Sequence, residues 1–290
     1  PGSAALPGGR CTPTAASDCP TGEFPAAPEG TDPARVVYVR AGSDAAAADG
    51  SRAAPFATLG AALTRLADGG AALVARGAYR ERIRIDRSVA IVGVCAAGVT
   101  LDGASLPSAG PVVVNVLGEG VRVTLSGLTV RGAAAGVRSH FGAHVRVERA
   151  VVTDCEIAGL YAYEPGSTLE VASSVVRGVR EREALLGGFG LHAFDGGAVR
   201  ATDVAVEAAT AIGVAARDRG DVSLERCVVR GTQRGAGGDS FGAEVKAGAA
   251  LTATATAFVD HRSVGVSAHD EGARVDADDL VERPHDAAGL

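Results

Sequence analysis

Hydrophobic and polar positions in the second half of this chain alternate with period two, and the alternation restarts at fixed intervals. Six segments set the beat: Gly136-Val137-Arg138-Ser139-His140, Gly159-Leu160-Tyr161-Ala162-Tyr163, Gly190-Leu191-His192-Ala193-Phe194, Gly213-Val214-Ala215-Ala216-Arg217, Gly242-Ala243-Glu244-Val245-Lys246 and Gly265-Val266-Ser267-Ala268-His269. From Val137 the steps are 23, 31, 23, 29 and 23 residues. The base period is therefore 23, with insertions of 8 and 6 in two repeats. Period-two alternation predicts strands. A fixed period that tolerates insertions predicts a solenoid.

Each repeat holds two further strands. One is led by Val145, Leu169, Val199, Val222, Leu251 and Val275, and a shorter one ends near Val152, Val176, Val206 and Val229. Three strands in 23 residues leave no room for a helix of ten or more, which excludes leucine-rich, ankyrin and tetratricopeptide arrays. The expected fold is all-β: a right-handed parallel β-helix of three-strand coils. One inward column reads Val137, Leu160, Leu191, Val214, Ala243, Val266, and the next Ser139, Ala162, Ala193, Ala216, Val245, Ala268. Gly166, Gly197, Gly220, Gly248 and Gly272 follow the strand, where a tight turn calls for positive φ. Upstream, Ile83, Ile85, Val89, Ile91, Val94, Val99 and Leu101 alternate less regularly, and Val123 and Val130 share the seven-residue spacing of Val145 and Val152.

Phe56, Leu59, Leu63 and Leu66 share one helical face over 55–67, with Pro55 near the first turn and Asp68-Gly69-Gly70 as the stop. This helix is expected to cap the open first coil. Residues 1–34 are rich in Pro, Gly and Ala without periodicity and read as an arm. Cys11 and Cys19 lie within it, and a small disulfide loop between them is expected if the protein is exported. Cys155 and Cys227 belong to coils three apart, about 14 Å along the axis, beyond disulfide reach; with Cys95 they read as inert thiols in or near the core. Residues 35–290 are expected to form a single β-helix domain.

The absence of Trp and the 4 % aromatic content fit a narrow interior. A net charge of −6 without a basic block argues against nucleic acid and anionic membrane surfaces. No apolar run reaches 18 residues. The chain has no Met and opens Pro1-Gly2-Ser3, which reads as a trimmed end, so a missing leader says little about export. Little sequence follows Val281, which leaves a downstream domain, a partner or truncation of the chain as the readings for the last coil.

At this point the sequence resembles a known family. Val37-Tyr38-Val39, Gly42-Ser43-Asp44, Asp49-Gly50-Ser51, Pro55-Phe56-Ala57-Thr58-Leu59 and Ala61-Ala62-Leu63 look like the entry segment of secreted right-handed β-helix proteins of the pectin-lyase-like superfamily. Gly77-Ala78-Tyr79-Arg80-Glu81, Ile83, Ile85 and Val92-Gly93 continue the pattern, and the resemblance runs over about 36–280. It implies a secreted, periplasmic or cell-surface protein and, often, contact with carbohydrate. The superfamily holds polysaccharide lyases, glycoside hydrolases and members without catalysis. Its activity motifs do not carry over. There is no Asn-x-Asp, Asp-Asp and Gly-His-Gly set on one face, Asp278-Asp279 stands alone in the last coil, and no Arg-x-Pro-x-x-Arg is present.

Candidate chemistry lies on the outward face of the first strand. One column reads His140, Tyr163, Phe194, Arg217, Lys246, His269; its neighbour reads Arg138, Tyr161, His192, Ala215, Glu244, Ser267. Equal positions lie about 4.8 Å apart in successive coils. His140, Tyr161, Tyr163, Phe194 and His269 are candidate binding residues for an acidic polysaccharide or cell-envelope glycan: rings stack on sugars and cations meet carboxylates or sulfates. Lys246, the sole lysine, stands beside Arg217, with Glu244 and His192 alongside. This quartet is the candidate catalytic set of a polysaccharide lyase or glycoside hydrolase, since some β-helix lyases place a Lys and an Arg on adjacent coils. A solvated face of long side chains on a non-catalytic surface scaffold or adhesin would show the same pattern. Asp195, Asp218 and Asp270 are weak calcium candidates, since carboxylates stacked by the period can bind that ion, but each precedes a turn Gly and turn chemistry explains them as well. No other cofactor is implied. The insertions at 180–188 and 232–240 enter at the same point of coils two apart. They are expected to project side by side, about 10 Å apart, next to the Arg217 coil.

Overall fold

The computed structural model describes residues 19–104, 112–183 and 186–284, together with the short antiparallel strands Ser3–Ala5 and Cys11–Pro13 of the arm. The chain winds as a right-handed parallel β-helix through three parallel sheets. A representative coil runs His144–Glu148 in sheet I, Val151–Thr153 in sheet II and Ala158–Tyr163 in sheet III. The register is unbroken over the repeats. In sheet I Val145 pairs in turn with Leu169, Val199, Val222, Leu251 and Val275. In sheet III Val137 leads through Leu160, Leu191, Val214 and Ala243 to Val266. The inward columns are those that the alternation predicts, and from Val137 to Ala243 they are fully buried.

The Gly that opens each repeat has a packing reason. At Gly190 a Cβ would stand 2.4 Å from Val206 Cγ1 and 2.5 Å from the Gly213 carbonyl oxygen. The chain enters sheet III pressed against the sheet II aliphatic of the following coil, and only Gly fits. The turn glycines divide into two kinds. Gly166, Gly248 and Gly272 take positive φ as expected, whereas at Gly197 and Gly220 the left-handed step has moved back to Asp195-Gly196 and Asp218-Arg219. There Gly is required by contact: a Cβ on Gly220 would lie 2.3 Å from the Ala193 carbonyl oxygen.

The capping helix is shorter than the periodicity predicts, Leu59–Arg65 rather than 55–67. Pro55-Phe56 is drawn into a β-bridge: Phe56 N–H donates to Tyr38 O at 2.9 Å, and Arg40 N–H to Phe56 O at 2.8 Å. Thr58 then serves as N-cap, and the Glu81 carboxylate accepts from the Leu59 and Gly60 N–H groups at 2.7 and 2.8 Å. Leu59, Ala62, Leu63 and Leu66 bury against the first coil. At the other end, Ala268 and Ala277 occupy inward positions yet are exposed. Glu282 stands in register with the fully buried Phe258. A charged residue at an inward position of an edge strand discourages further strand addition.

The expected Cys11–Cys19 loop is not formed. Cys19 pairs with Cys95 across 76 residues. The arm is laid along the first coils, where Arg76 donates to the carbonyls of Pro20 and Gly22, Arg40 meets Glu23 at 2.9 Å and Phe24 packs edge-on against Tyr38. Cys95 is thus a bridge, while Cys155 and Cys227 are buried thiols pushed up to about 12 by desolvation, as inert core cysteines should be. Removal of the bridge by Cys95→Ala is expected to lower stability by about 2–4 kcal/mol, measured as a fall in the guanidinium midpoint, with Cys11→Ala leaving the midpoint unchanged. Gly190→Ala is expected to destabilise by about 2 kcal/mol or more in the same assay, because the new methyl has no room.

Candidate functional site

Sheet III carries three outward columns. Nearest the corner with sheet II stand Ala135, Ala158, Phe189, Ile212, Phe241 and Val264; then Arg138, Tyr161, His192, Ala215, Glu244 and Ser267; then Ser139's outward neighbour His140, Tyr163, Phe194, Arg217, Lys246 and His269. The last two match the expected columns. The first was not singled out from the sequence. Its signal was a change of size, from Ala135 and Ala158 to Phe189, Ile212 and Phe241, at the two coils that carry the insertions and the coil between them.

The rings do not present their faces to solvent. Tyr161 and His192 lie 4.9 Å apart at 12°, His140 and Tyr163 5.0 Å apart at 24°, and Tyr163 and Phe194 5.7 Å apart at 15°. Parallel rings this close, one coil apart, overlap along the axis of the tube. The faces expected to meet sugars are in large part engaged by one another. Exposed Phe141 closes one end, stacked on His140 at 3.7 Å.

Beyond the ladder lies a charge cluster. Arg217 sits 4.7 Å over the Phe189 ring and donates through Nε to Glu244 Oε2 at 2.6 Å. Lys246 Nζ stands 4.0 Å from the same oxygen, and His269 Nε2 lies 3.8 Å from Oε1. The Glu244 side chain is only 7 % exposed, against 32 % for Lys246 and 41 % for His269. Glu244 therefore compensates the two cations that the period stacks in one column. Arg217 is fixed by both its carboxylate and its ring. Lys246 and His269 remain the reachable donors.

His192 joins this group in space but lacks the access an acid or base requires. It is buried between Tyr161 and Phe189, and desolvation, reinforced by Arg217, pushes it down to about 3. Its Nε2 is buried without a hydrogen-bond partner. It is a neutral ring of the ladder. Asp195, Asp218 and Asp270 each take positive φ at a turn, and Asp195 is held by Arg219 at 2.9 Å. Among the described residues no group of three or more His, Cys, Asp or Glu side chains is placed to hold a metal ion.

The two insertions come closer than the expected spacing: Ala236 N–H donates to Glu181 Oε2 at 2.7 Å across the intervening coil. Together they wall a cavity of about 170 Å³ over the Arg217 coil. Phe189, Ile212 and Phe241 supply its apolar side, and Glu181, Arg217, Asp239 and Glu244 its polar rim. The rings of Phe189 are taken by Arg217 and His192, whereas no other ring or cation among the described residues stacks on Phe241.

This architecture, a right-handed parallel β-helix, is shared with solved structures. Among solved structures, a pectate lyase, Pel9A, matches with a TM-score of 0.63 and 15 % identity over 80 % of this chain. The match spans 65 % of that lyase, just under two thirds of its length. A pectin methylesterase from Aspergillus niger matches with a TM-score of 0.50 and 16 % identity, over 90 % of this chain and 88 % of the other. At such identities the likeness is one of fold. No family model matches the chain, and no curated protein matches it in sequence.

In the unfolded chain His192 titrates near 6.5, whereas in the fold it is held far below that value. The unfolded state therefore takes the proton first, and stability falls as pH drops below about 6.5. His192→Phe keeps the stacked ring and removes the titration. Relative to this variant, the wild type is expected to lose about 2 kcal/mol between pH 8 and pH 5, read from urea midpoints at both pH values. Comparison with the variant cancels the parallel contribution of His261, which burial also depresses.

Proposed function

We propose that this chain is an exported β-helix protein that binds an acidic polysaccharide or cell-envelope glycan in the cavity between its two insertions and along the adjoining face of sheet III. One observation carries the reading: the insertions meet over the Arg217 coil and enclose an apolar wall beside a charged rim. A sugar ring needs that combination, a flat apolar surface for its carbon face and polar groups for its hydroxyls. Phe241 supplies the free ring, Glu181 and Asp239 accept from hydroxyls, and Lys246 and His269 meet the carboxylates of neighbouring sugars. The Cys19–Cys95 bridge supports export, since such bonds persist in oxidising compartments. The fold shared with two pectin-active enzymes supports a carbohydrate ligand.

A second reading, a polysaccharide lyase, is favoured by Lys246 standing one coil from Arg217, which lines the same cavity. Against it, Arg217 is already committed to Glu244.

Calorimetric titration with oligogalacturonates and neutral oligosaccharides tests the binding reading. Phe241→Ala is expected to weaken binding about tenfold, the worth of one ring contact, while Phe194→Ala, inside the ladder, leaves affinity within about twofold. A wild type that binds no member of a broad glycan panel would sink the reading and leave a structural scaffold. Release of an unsaturated product absorbing in the ultraviolet, lost in Lys246→Ala, would establish the lyase instead.

A further inference from the structure

The hairpin of the first insertion separates two cavities rather than bounding one. Its strands, Glu181–Glu183 and Leu186–Gly187, pair antiparallel. Glu181 lines the cavity described above, whereas Arg180 and Arg182 line a second one of about 330 Å³ on the other side. Alternation along one short strand thus sends anionic and cationic side chains to opposite faces. The wall is pinned at its N-terminal end, by Glu181 accepting from Ala236 N–H and by Arg180 N–H donating to the Cys155 carbonyl at 2.8 Å.

The second cavity is lined by Arg82, Arg180, Arg182, Asp154, Glu156 and the backbone of Gly103-Ala104 and Gly132-Ala133-Ala134. Its carboxylates are already engaged. Arg131, which lies outside the lining, meets Asp154 at 3.3 Å, and Arg182 meets Glu156 at 3.8 Å. Arg82 donates to the Gly103 carbonyl at 3.1 Å. Arg180 has no carboxylate within 4.0 Å among the described residues, whereas its neighbour Arg182 in the same lining does. The cavity therefore holds an uncompensated guanidinium in company with two others, and guanidinium forks match planar and tetrahedral oxyanions. Its volume reaches the range of small-ligand sites.

We propose that this cavity is an oxyanion subsite for a charged sugar, one carrying a uronate carboxylate or a sulfate ester, with Arg180 as the principal contact. The inference deepens the glycan reading and rests on it, but places the recognition of charge at a different corner from Phe241 and Lys246. On this assignment the hairpin sorts the ligand. The ring that packs on Phe241 lies on its acidic side, and an anionic neighbour or branch lies on its basic side.

Three sugars that differ in one group test the assignment by ligand-observed NMR titration: galactose, galacturonate and galactose 6-sulfate. At least one of the two anionic sugars is expected to bind more tightly than galactose, and the stronger of them identifies the source of the oxyanion. Arg180→Gln is expected to weaken that sugar at least fivefold and flatten its salt dependence, while Arg180→Lys retains part of the affinity. Phe241→Ala is expected to leave this preference intact, which separates failure of the subsite from failure of the cavity beyond the hairpin. Equal binding of all three sugars, no binding of either anionic sugar, or an Arg180→Gln variant of normal circular dichroism and unchanged affinity would overturn the proposal.

Discussion

Within the three parallel sheets, each interior strand is hydrogen-bonded to its equivalent in the coil above and in the coil below, about 4.8 Å away. That pairing constrains each side chain to coexist with residues at the same position of neighbouring coils. Inside the tube the constraint produces aliphatic columns. Outside it produces ladders, and a ladder of like charge is unfavourable. The chain answers by alternating sign from coil to coil. Arg146 meets Glu170, Arg219 meets Asp195, Arg226 meets Asp203 and Arg230 meets Glu207. Aromatic rings obey the same geometry and stack on one another.

The column of Arg217 and Lys246 breaks the alternation. Two cations follow directly, and the compensating carboxylate comes from the neighbouring column as Glu244, buried beneath them. Burial of this carboxylate is tolerable because Arg217 donates a hydrogen bond to it and Lys246 stands beside it. It also removes Arg217 from service as a mobile group. The cluster is a rigid electrostatic base with Lys246 and His269 at its exposed edge, and that favours recognition over proton transfer.

The period made the tube legible because in-register stacking writes itself directly into sequence. Val137, Leu160 and Leu191 lie where their spacing places them, and so do the outward columns from His140 to His269. What the period does not govern was harder to read. Cys19 reaches Cys95 because the arm folds back along the first coils, a contact without sequence spacing. Phe56 follows helical periodicity, but a β-bridge to the first strand claims its backbone. The ring ladder was visible as residues but not as orientation, since only the coil spacing shows that ring faces meet each other. Phe241 could have been noticed, because the Ala135–Ala158 position turns bulky where the insertions begin.

These observations converge on where recognition can reside. A tube built by self-stacking satisfies its own faces: rings on rings, charges on opposite charges, backbone on backbone. What the tube leaves unpartnered therefore lies at the exposed edge of the charge cluster, at Phe241 and where insertions interrupt the repeat. The extra residues gather at one corner, between sheets II and III. From sheet II to sheet III the chain takes 15 positions from Val176 to Leu191 and 14 from Val229 to Ala243, against 8 from Val206 to Val214. The same passage takes 13 positions from Leu101 to Val114, against 7 from Val130 to Val137. Both cavities open at that corner, and the hairpin between them turns Glu181 to one and Arg180 to the other. The regular part of the chain supplies a rigid rail, and the departures from regularity place unlike chemistries on either side of one wall.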